Sequence, residues 1–196
     1  MLPPVGPPCC ARCGAPTAWP VAACRECGSR RFAFDSARAA VGYTPAARGL
    51  VRAWKEHGLR RFCPLAAELV VERVPRPAAD VIAYIPPDGD RSVKRGHQPA
   101  RDLAAALAER WQLPCEGLLA RTRPVARQAD LSRAARRANV RGAFAPARET
   151  VPPRIALVDD VYTTGATVDA AAAALRAAGA REVHVVTFAR VTRAVR

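Results

Sequence analysis

Lysine is almost missing from this chain: Lys55 and Lys94 are the two lysines among 31 basic residues. Histidine is nearly as scarce, and none of His57, His97 and His184 pairs with a serine or cysteine in a hydrolase-like arrangement. Aromatic residues make up 6% of the 196 positions and methionine occurs once, so a thin, alanine-dominated, helix-rich core is expected. No run approaches the roughly 18 apolar residues that would span a membrane. Met1 to Pro8 is proline-rich, and neither a charged n-region nor an apolar h-region follows, so a cytoplasmic location is expected. No Gly-Lys-Ser/Thr follows a glycine loop and no Gly-x-Gly-x-x-Gly occurs, which excludes a Walker loop and the dinucleotide fingerprint.

What the chain has instead is charge of one sign. The net charge is +14 and the pI about 10.8, a balance that suits acidic partners such as nucleic acid, a phosphorylated ligand or an anionic surface, and equally a merely solvated face. The length allows one sizeable core and a small appendage. Five of the seven cysteines fall before residue 30. Cys10-x2-Cys13 and Cys24-x2-Cys27 form two knuckles, each able to turn two thiolates onto one ion. The spacing points to a structural Zn2+ site whose four ligands leave no position open for water. Cys9 is an additional candidate ligand, and a disulfide or a redox Cys-x2-Cys is the alternative. Cys63 and Cys115 stand alone in apolar surroundings and are expected to be buried thiols.

Residues Ile155 to Thr167 carry the densest chemistry. An apolar run, Ile155 to Val158, ends in Asp159 and Asp160, followed by Thr163, Thr164, Gly165, Ala166 and Thr167 and then an alanine-rich segment closed by Gly179. This reads as strand, loop and helix, with the acidic pair at the carboxyl end of a buried parallel strand, where open α/β sheets bind ligands. A helix N-terminus preceded by hydroxyls and a glycine attracts a phosphate. Two carboxylates would repel that phosphate unless they address another part of the same ligand, such as vicinal ribose hydroxyls. The combination suggests a ribose 5-phosphate; the alternative is an acidic strand end before an ordinary helix.

Elsewhere, Arg30 to Val41 reads as a linker or short strand, and Ala46 to His57 and a segment opening near Pro64 read as helices. Lys55 could reach the ligand, but at a helix end it is expected to face solvent, and His97 is expected at the surface. Val81 to Ile85 reads as the first core strand. The basic loop after it contains Arg91, Lys94, Arg95 and Gly96, with Pro99 opening a helix, so strand, basic loop and helix again make an anion site. Leu118 and Leu119 suggest a short strand. Arg121 to Arg141 holds seven arginines against one aspartate and reads as a partly helical basic loop or a solvated charged face. Ala145 to Pro153 is a linker and Glu182 to Ala189 the last strand.

Ile155 to Thr167 resembles the phosphoribosyl-diphosphate (PRPP) motif of type I phosphoribosyltransferases. The wider order resembles the ComF family: a four-cysteine finger, Lys55 to Gly58, the Arg95-Gly96 loop, Gln128 to Leu131, Arg136 to Phe144, then the PRPP motif. His97-Gln98-Pro99 stands where that family commonly has Phe, Asn and Gln. The resemblance implies a type I phosphoribosyltransferase-like parallel α/β sheet with a small N-terminal zinc-ribbon-like finger. Its divisions would be a finger over residues 1–30, hood or connecting helices over 31–78 and a PRPP-binding core over 79–196. It implies that Asp159 and Asp160 hold the ribose, that Thr163 to Thr167 cradle the 5′-phosphate, and that Lys94, Arg95 and Gly96 contact the diphosphate, with Mg2+ accompanying PRPP. Gln128, Arg136, Arg137 and Asn139 are candidates for closing over the ligand or contacting nucleic acid. The implied role is a competence or DNA-uptake protein, with single-stranded DNA or the competence machinery as partners. The alternatives are a nucleic-acid-binding accessory or PRPP sensor without turnover and a nucleobase salvage transferase, and no nucleophile is identified.

Overall fold

The computed structural model describes residues 2–28, 30–87, 97–123 and 140–192. Strands β1 (Ser36–Gly42), β2 (Val81–Tyr84), β3 (Cys115–Glu116), β6 (Arg154–Tyr162) and β7 (Glu182–Arg190) form a five-stranded, all-parallel sheet in the order β1-β7-β6-β2-β3. Helices α1 (Pro45–Glu56), α2 (Phe62–Arg73), α3 (Pro99–Trp111) and α4 (Ala166–Ala177) cover it, and β4 (Leu119–Arg121) pairs with β5 (Phe144–Pro146) in a separate antiparallel ribbon. The parallel α/β sheet with a small four-cysteine finger at its N-terminal end is the architecture expected.

A parallel sheet is buried on both faces, and successive side chains of a strand serve opposite ones. In β6, Ala156 and Val158 face a cluster built from α1, α2 and α3, with Trp54, Phe62, Val70, Leu103 and Leu107. Ile155 and Leu157 face the other cluster, with α4, the ribbon, Phe34 and the finger cysteines. The boundaries of α1 and the end of α4 have local causes. Thr44 accepts from Ala47 N at the start of α1, Pro45 occupies its first turn, and Gly58, at φ 65°, lies just beyond its end. Gly179, at φ 104°, follows α4.

Two expectations are corrected here. Val81 to Ile85 is not the first core strand: Ser36–Gly42 precedes it and runs parallel to β7 from Ser36↔His184 to Gly42↔Arg190. Its sequence, Ser-Ala-Arg-Ala-Ala-Val-Gly, is poor in the β-branched residues that mark strands, so the pairing is set by its neighbour and by burial rather than by propensity. Ala145 to Pro153 is not wholly a linker, because its first two residues complete β5.

Strand β1 lies at the edge of the sheet, and the N-terminal residues run along its outer side. Val5 N donates to Ala40 O (3.3 Å), Gly42 N to Pro3 O (3.0 Å) and Ala37 N to Arg12 O (2.7 Å). On the helical face, Phe62 stands edge-on between Trp54 (5.6 Å between ring centres) and Phe188 (5.0 Å). All three are buried. Truncating Phe188 to alanine should open a cavity at the sheet end of this cluster and cost about 3–5 kcal/mol, read as a lower urea midpoint with an unchanged m-value.

Candidate functional site

Strand β6 delivers Asp159 and Asp160 near its carboxyl end, one residue after the Tyr84↔Val158 pairing with β2. The chain leaving β2 is tied there by Ile85 N donating to Val158 O (3.0 Å), so the segment leading into residues 88–96 starts beside the acidic pair. Asp160 is 7% exposed and Asp159 partly buried, and Asp160 N donates to Asp159 Oδ1 (2.9 Å). Burial, reinforced by the charge of Asp160, pushes the Asp159 carboxyl up to about 7, against the opposing pull of Lys55 and Arg121.

Lys55 does not face solvent as expected. Its Nζ lies 2.6 Å from Asp160 Oδ2. Burial opposes its charge, but Asp160 and Asp159 together hold the ammonium above its ordinary value. His97 is likewise buried rather than on the surface, with Nε2–H donating to Trp54 O (2.6 Å). That bond fastens the last turn of α1, which carries Lys55, to the residue directly after the basic loop. Local sequence pattern gives no hint of either contact, because each joins α1 to a residue far along the chain, Asp160 in one case and His97 in the other. The scarcity of lysine was the one available signal.

Beyond the acidic pair the chain turns through Thr163 and Thr164 to Gly165, which sits at φ 76° as the N-cap of α4. Gly165 has no side chain with which to cap the helix, and Thr164 Oγ1 accepts from Ala166 N (3.4 Å), so the positive end of α4 meets the loop with a hydroxyl beside it, a setting that suits an anion. Ala166 is buried in the first turn and Thr163, Thr164 and Thr167 are partly exposed around it. The structure therefore brings the acidic pair and the Thr163–Thr167 loop together at one strand end. Lys94, Arg95, Gly96, Gln128, Arg136, Arg137 and Asn139 lie outside the described residues.

The loop is backed by residues that the sequence did not single out. Tyr162 is buried with its hydroxyl against Gly165, where a Cβ would overlap it. Arg190, the cross-strand partner of Tyr162, stacks its guanidinium over that ring (4.6 Å). The same guanidinium donates to the carbonyl of Cys13 and pairs with Glu26 (3.3 Å). Arg30 approaches Thr164 O (3.4 Å) and Asp169 (3.9 Å), and Asp169 accepts from Ala33 N (2.7 Å). An arginine closing the largely apolar strand Glu182–Arg190 is the clue that β7 ends at something polar.

Cys10, Cys13, Cys24 and Cys27 converge as the spacing required, their sulfurs all within 4.8 Å of one another. Sγ separations are 3.8 Å for Cys10–Cys27, 3.6 Å for Cys13–Cys24 and 3.8 Å for Cys24–Cys27. The edge of a tetrahedron with 2.3 Å metal–sulfur bonds is about 3.8 Å, so the four thiolates fit one ion. Burial pushes the Cys13 thiol up to about 11 against the pull of Arg190, and raises Cys27 further. Cys10 is also buried, but backbone N–H groups of Cys13, Cys24 and Arg12 bring it down to about 7. Cys9 is not among the four; Cys10 is the cysteine of that neighbouring pair that joins the cluster. Gly14 follows that knuckle at φ 69°, and a Cβ there would overlap Ala37 O of β1, so the finger sits directly on the sheet edge. Cys63 is buried as expected, while Cys115 is only partly so.

The chain is 28% identical over 195 residues to Competence protein F of Haemophilus influenzae, covering 93% of this chain and 85% of that protein. It is 29% identical over 186 residues to DNA utilization protein YhgH of Salmonella typhi, covering 90% and 81%. The resemblance to the ComF family holds. No family model matches the chain. Among solved structures, the glutamine phosphoribosylpyrophosphate amidotransferase from B. subtilis, complexed with ADP and GMP, aligns with 65% of this ComF-like chain and 25% of its own at 29% identity and TM-score 0.42. Among the described residues, no helix is long and apolar enough to cross a membrane.

In this ComF-like chain the loop geometry rests on Gly165. Gly165→Ala should cost at least about 1–2 kcal/mol for the left-handed backbone alone, measured by denaturant unfolding. Adding Tyr162→Phe should recover only the part due to overlap with the hydroxyl; full recovery would show that the backbone conformation is not the constraint.

Proposed function

We propose that this chain binds PRPP at the carboxyl end of β6 and that this binding serves DNA uptake. The observation that carries the reading is an acidic pair, Asp160 buried and Asp159 partly so, placed directly before a helix N-terminus that is entered through hydroxyls and a left-handed glycine. Asp159 and Asp160 would accept hydrogen bonds from the ribose 2′ and 3′ hydroxyls. Thr163 to Thr167 would hold the 5′-phosphate with backbone N–H groups and hydroxyls. The diphosphate would extend toward the segment bearing Lys94, Arg95 and Gly96, whose entry lies beside Asp159. Mg2+ takes hard oxygen ligands and would supply countercharge to the diphosphate. Because Lys55 already neutralises Asp160, the ion fits as a companion of the ligand rather than as a resident of the acidic pair.

The ion assigned to the four cysteines is Zn2+, on thiolate chemistry and on the sulfur separations. With four protein ligands its role is structural, holding the knuckles that Arg190 and Gly14 join to the sheet. Purified protein should carry one zinc per chain, and Cys13→Ser with Cys24→Ser should lose it, as read by elemental analysis.

The link to DNA uptake draws on the names of the two relatives and on the net charge of +14. Under this reading the chain binds single-stranded DNA through arginine–phosphate contacts, with affinity that drops steeply as salt is raised. Binding that survives Arg136→Ala with Arg137→Ala would remove those two residues from the interface.

Thermal shift provides the direct test of the ligand. PRPP with Mg2+ at about one hundred times its dissociation constant should stabilise the fold by about 2.7 kcal/mol, and ribose 5-phosphate at the same concentration by less. Asp159→Asn with Asp160→Asn should abolish the shift while leaving the zinc content intact; a shift of unchanged size would refute the assignment of the acidic pair.

A further inference from the structure

A site that pairs two carboxylates with a phosphate loop has an electrostatic difficulty. The ligand it is built for carries several negative charges, and Asp159 and Asp160 confront it with two more. Opposite or like charges about 4 Å apart interact strongly near a protein surface, so the pair as the sequence presents it should repel its own ligand. The structure contains a counterweight from outside the motif. Lys55, near the end of α1, extends its ammonium to 2.6 Å from Asp160 Oδ2. Its side chain is 32% exposed and that of Asp160 10%, so the pair sits at the boundary between the sheet and the opening, not on the free surface.

The placement is built rather than incidental. Trp54, the preceding residue, is fully buried against Phe62, and its carbonyl accepts from His97. The last turn of α1 is thereby fixed on both sides of the lysine. The charged and titratable groups that bear on the pair are Asp159 and Asp160 on β6, Lys55 on α1, Tyr43 between β1 and α1, and Arg121 on β4. Arg121 is anchored elsewhere, donating through Nε to Pro86 O (3.0 Å) and lying over the Phe144 ring (4.9 Å). Among the described residues, Lys55 is the cation in direct contact with a carboxylate of the pair.

We propose that Lys55 is a positioning residue of the ligand site: by pairing with Asp160 it cancels one of the two carboxylate charges and fixes that side chain, so that an acidic pair can receive a sugar carrying phosphate groups. The proposal rests on the reading of the acidic pair as the ribose site. It assigns to the α1 lysine a part in binding that the strand-loop-helix motif does not contain. It also sets a pH dependence. Asp159, held at about 7, must be ionised to accept from two hydroxyls, so affinity should rise as pH passes upward through that value. Removing Lys55 takes away a charge that lowers the Asp159 value, so the rise should move to higher pH.

The test is titration calorimetry of the full-length, zinc-loaded protein with PRPP and Mg2+ between pH 6 and 9, at low and high salt. Lys55→Met should weaken binding about 10- to 100-fold at low salt, lose part of that defect at high salt, and shift the pH midpoint upward. Lys55→Arg should restore most of the affinity. Lys55→Met with Asp160→Asn, which removes both charges, should bind more tightly than Lys55→Met alone, a coupling that a purely structural role would not produce. If Lys55→Met proves unstable, Lys55→Gln and the double variant read the same two quantities. Wild-type binding with an unaltered affinity and pH midpoint in Lys55→Met overturns the proposal alone. Absence of PRPP binding by the wild type overturns the functional reading, and the role of Lys55 with it.

Discussion

Burying a carboxylate beside another carboxylate is the constraint around which this fold is arranged. Asp160 sits almost wholly inside the protein, one residue from Asp159, at the end of a strand flanked on both sides by parallel neighbours. An isolated ion in that position would shed its charge. Here the Lys55 ammonium lies 2.6 Å from Asp160, and the demand propagates outward: α1 must end over the strand, Trp54 must be seated, and His97 must hold the Trp54 carbonyl. The Trp54–Phe62–Phe188 cluster then carries the load of keeping α1 and α2 against β7.

From the opposite face, the Thr163–Thr167 loop is shaped by the finger. Tyr162 presses on Gly165, Arg190 lies on Tyr162, and Arg190 in turn reaches Cys13 and Glu26. Arg30, just past the second knuckle, contacts the Thr164 carbonyl. The two halves of the site thus depend on different parts of the chain. The acidic pair depends on α1, and the Thr163–Thr167 loop depends on the four-cysteine knuckles.

Much of this could be read beforehand, and the residues show why. The run Ile155 to Tyr162 announces itself because a strand buried on both faces must be continuously apolar until its edge, where the carboxylates appear. The cysteine spacing is legible because two-residue knuckles have one geometric use when doubled. Strand β1 was ambiguous because alanine and glycine satisfy a tight, two-sided environment without advertising a strand. Lys55, His97, Arg30 and Arg190 were missed or misassigned because each acquires its role from a partner 43 to 177 positions away, and pattern within a window carries no information about such pairs. Buried arginine in a strand and rare lysine at a helix end are the kinds of local oddity that in hindsight marked them.

The backbone bonds from Pro3, Val5 and Arg12 to β1 have an implication beyond the site. An open parallel sheet ends in a strand whose outer N–H and C=O groups can recruit another chain, and proteins guard against this by covering or shortening such strands. Here one border, β3, is two residues long. The other is seven residues long and is sheathed by the stretch that also carries the first knuckle. Clipping that stretch away would uncover a ready template for intermolecular strand addition, so the finger's N-terminal arm guards against self-association as well as carrying half of the four-cysteine cluster.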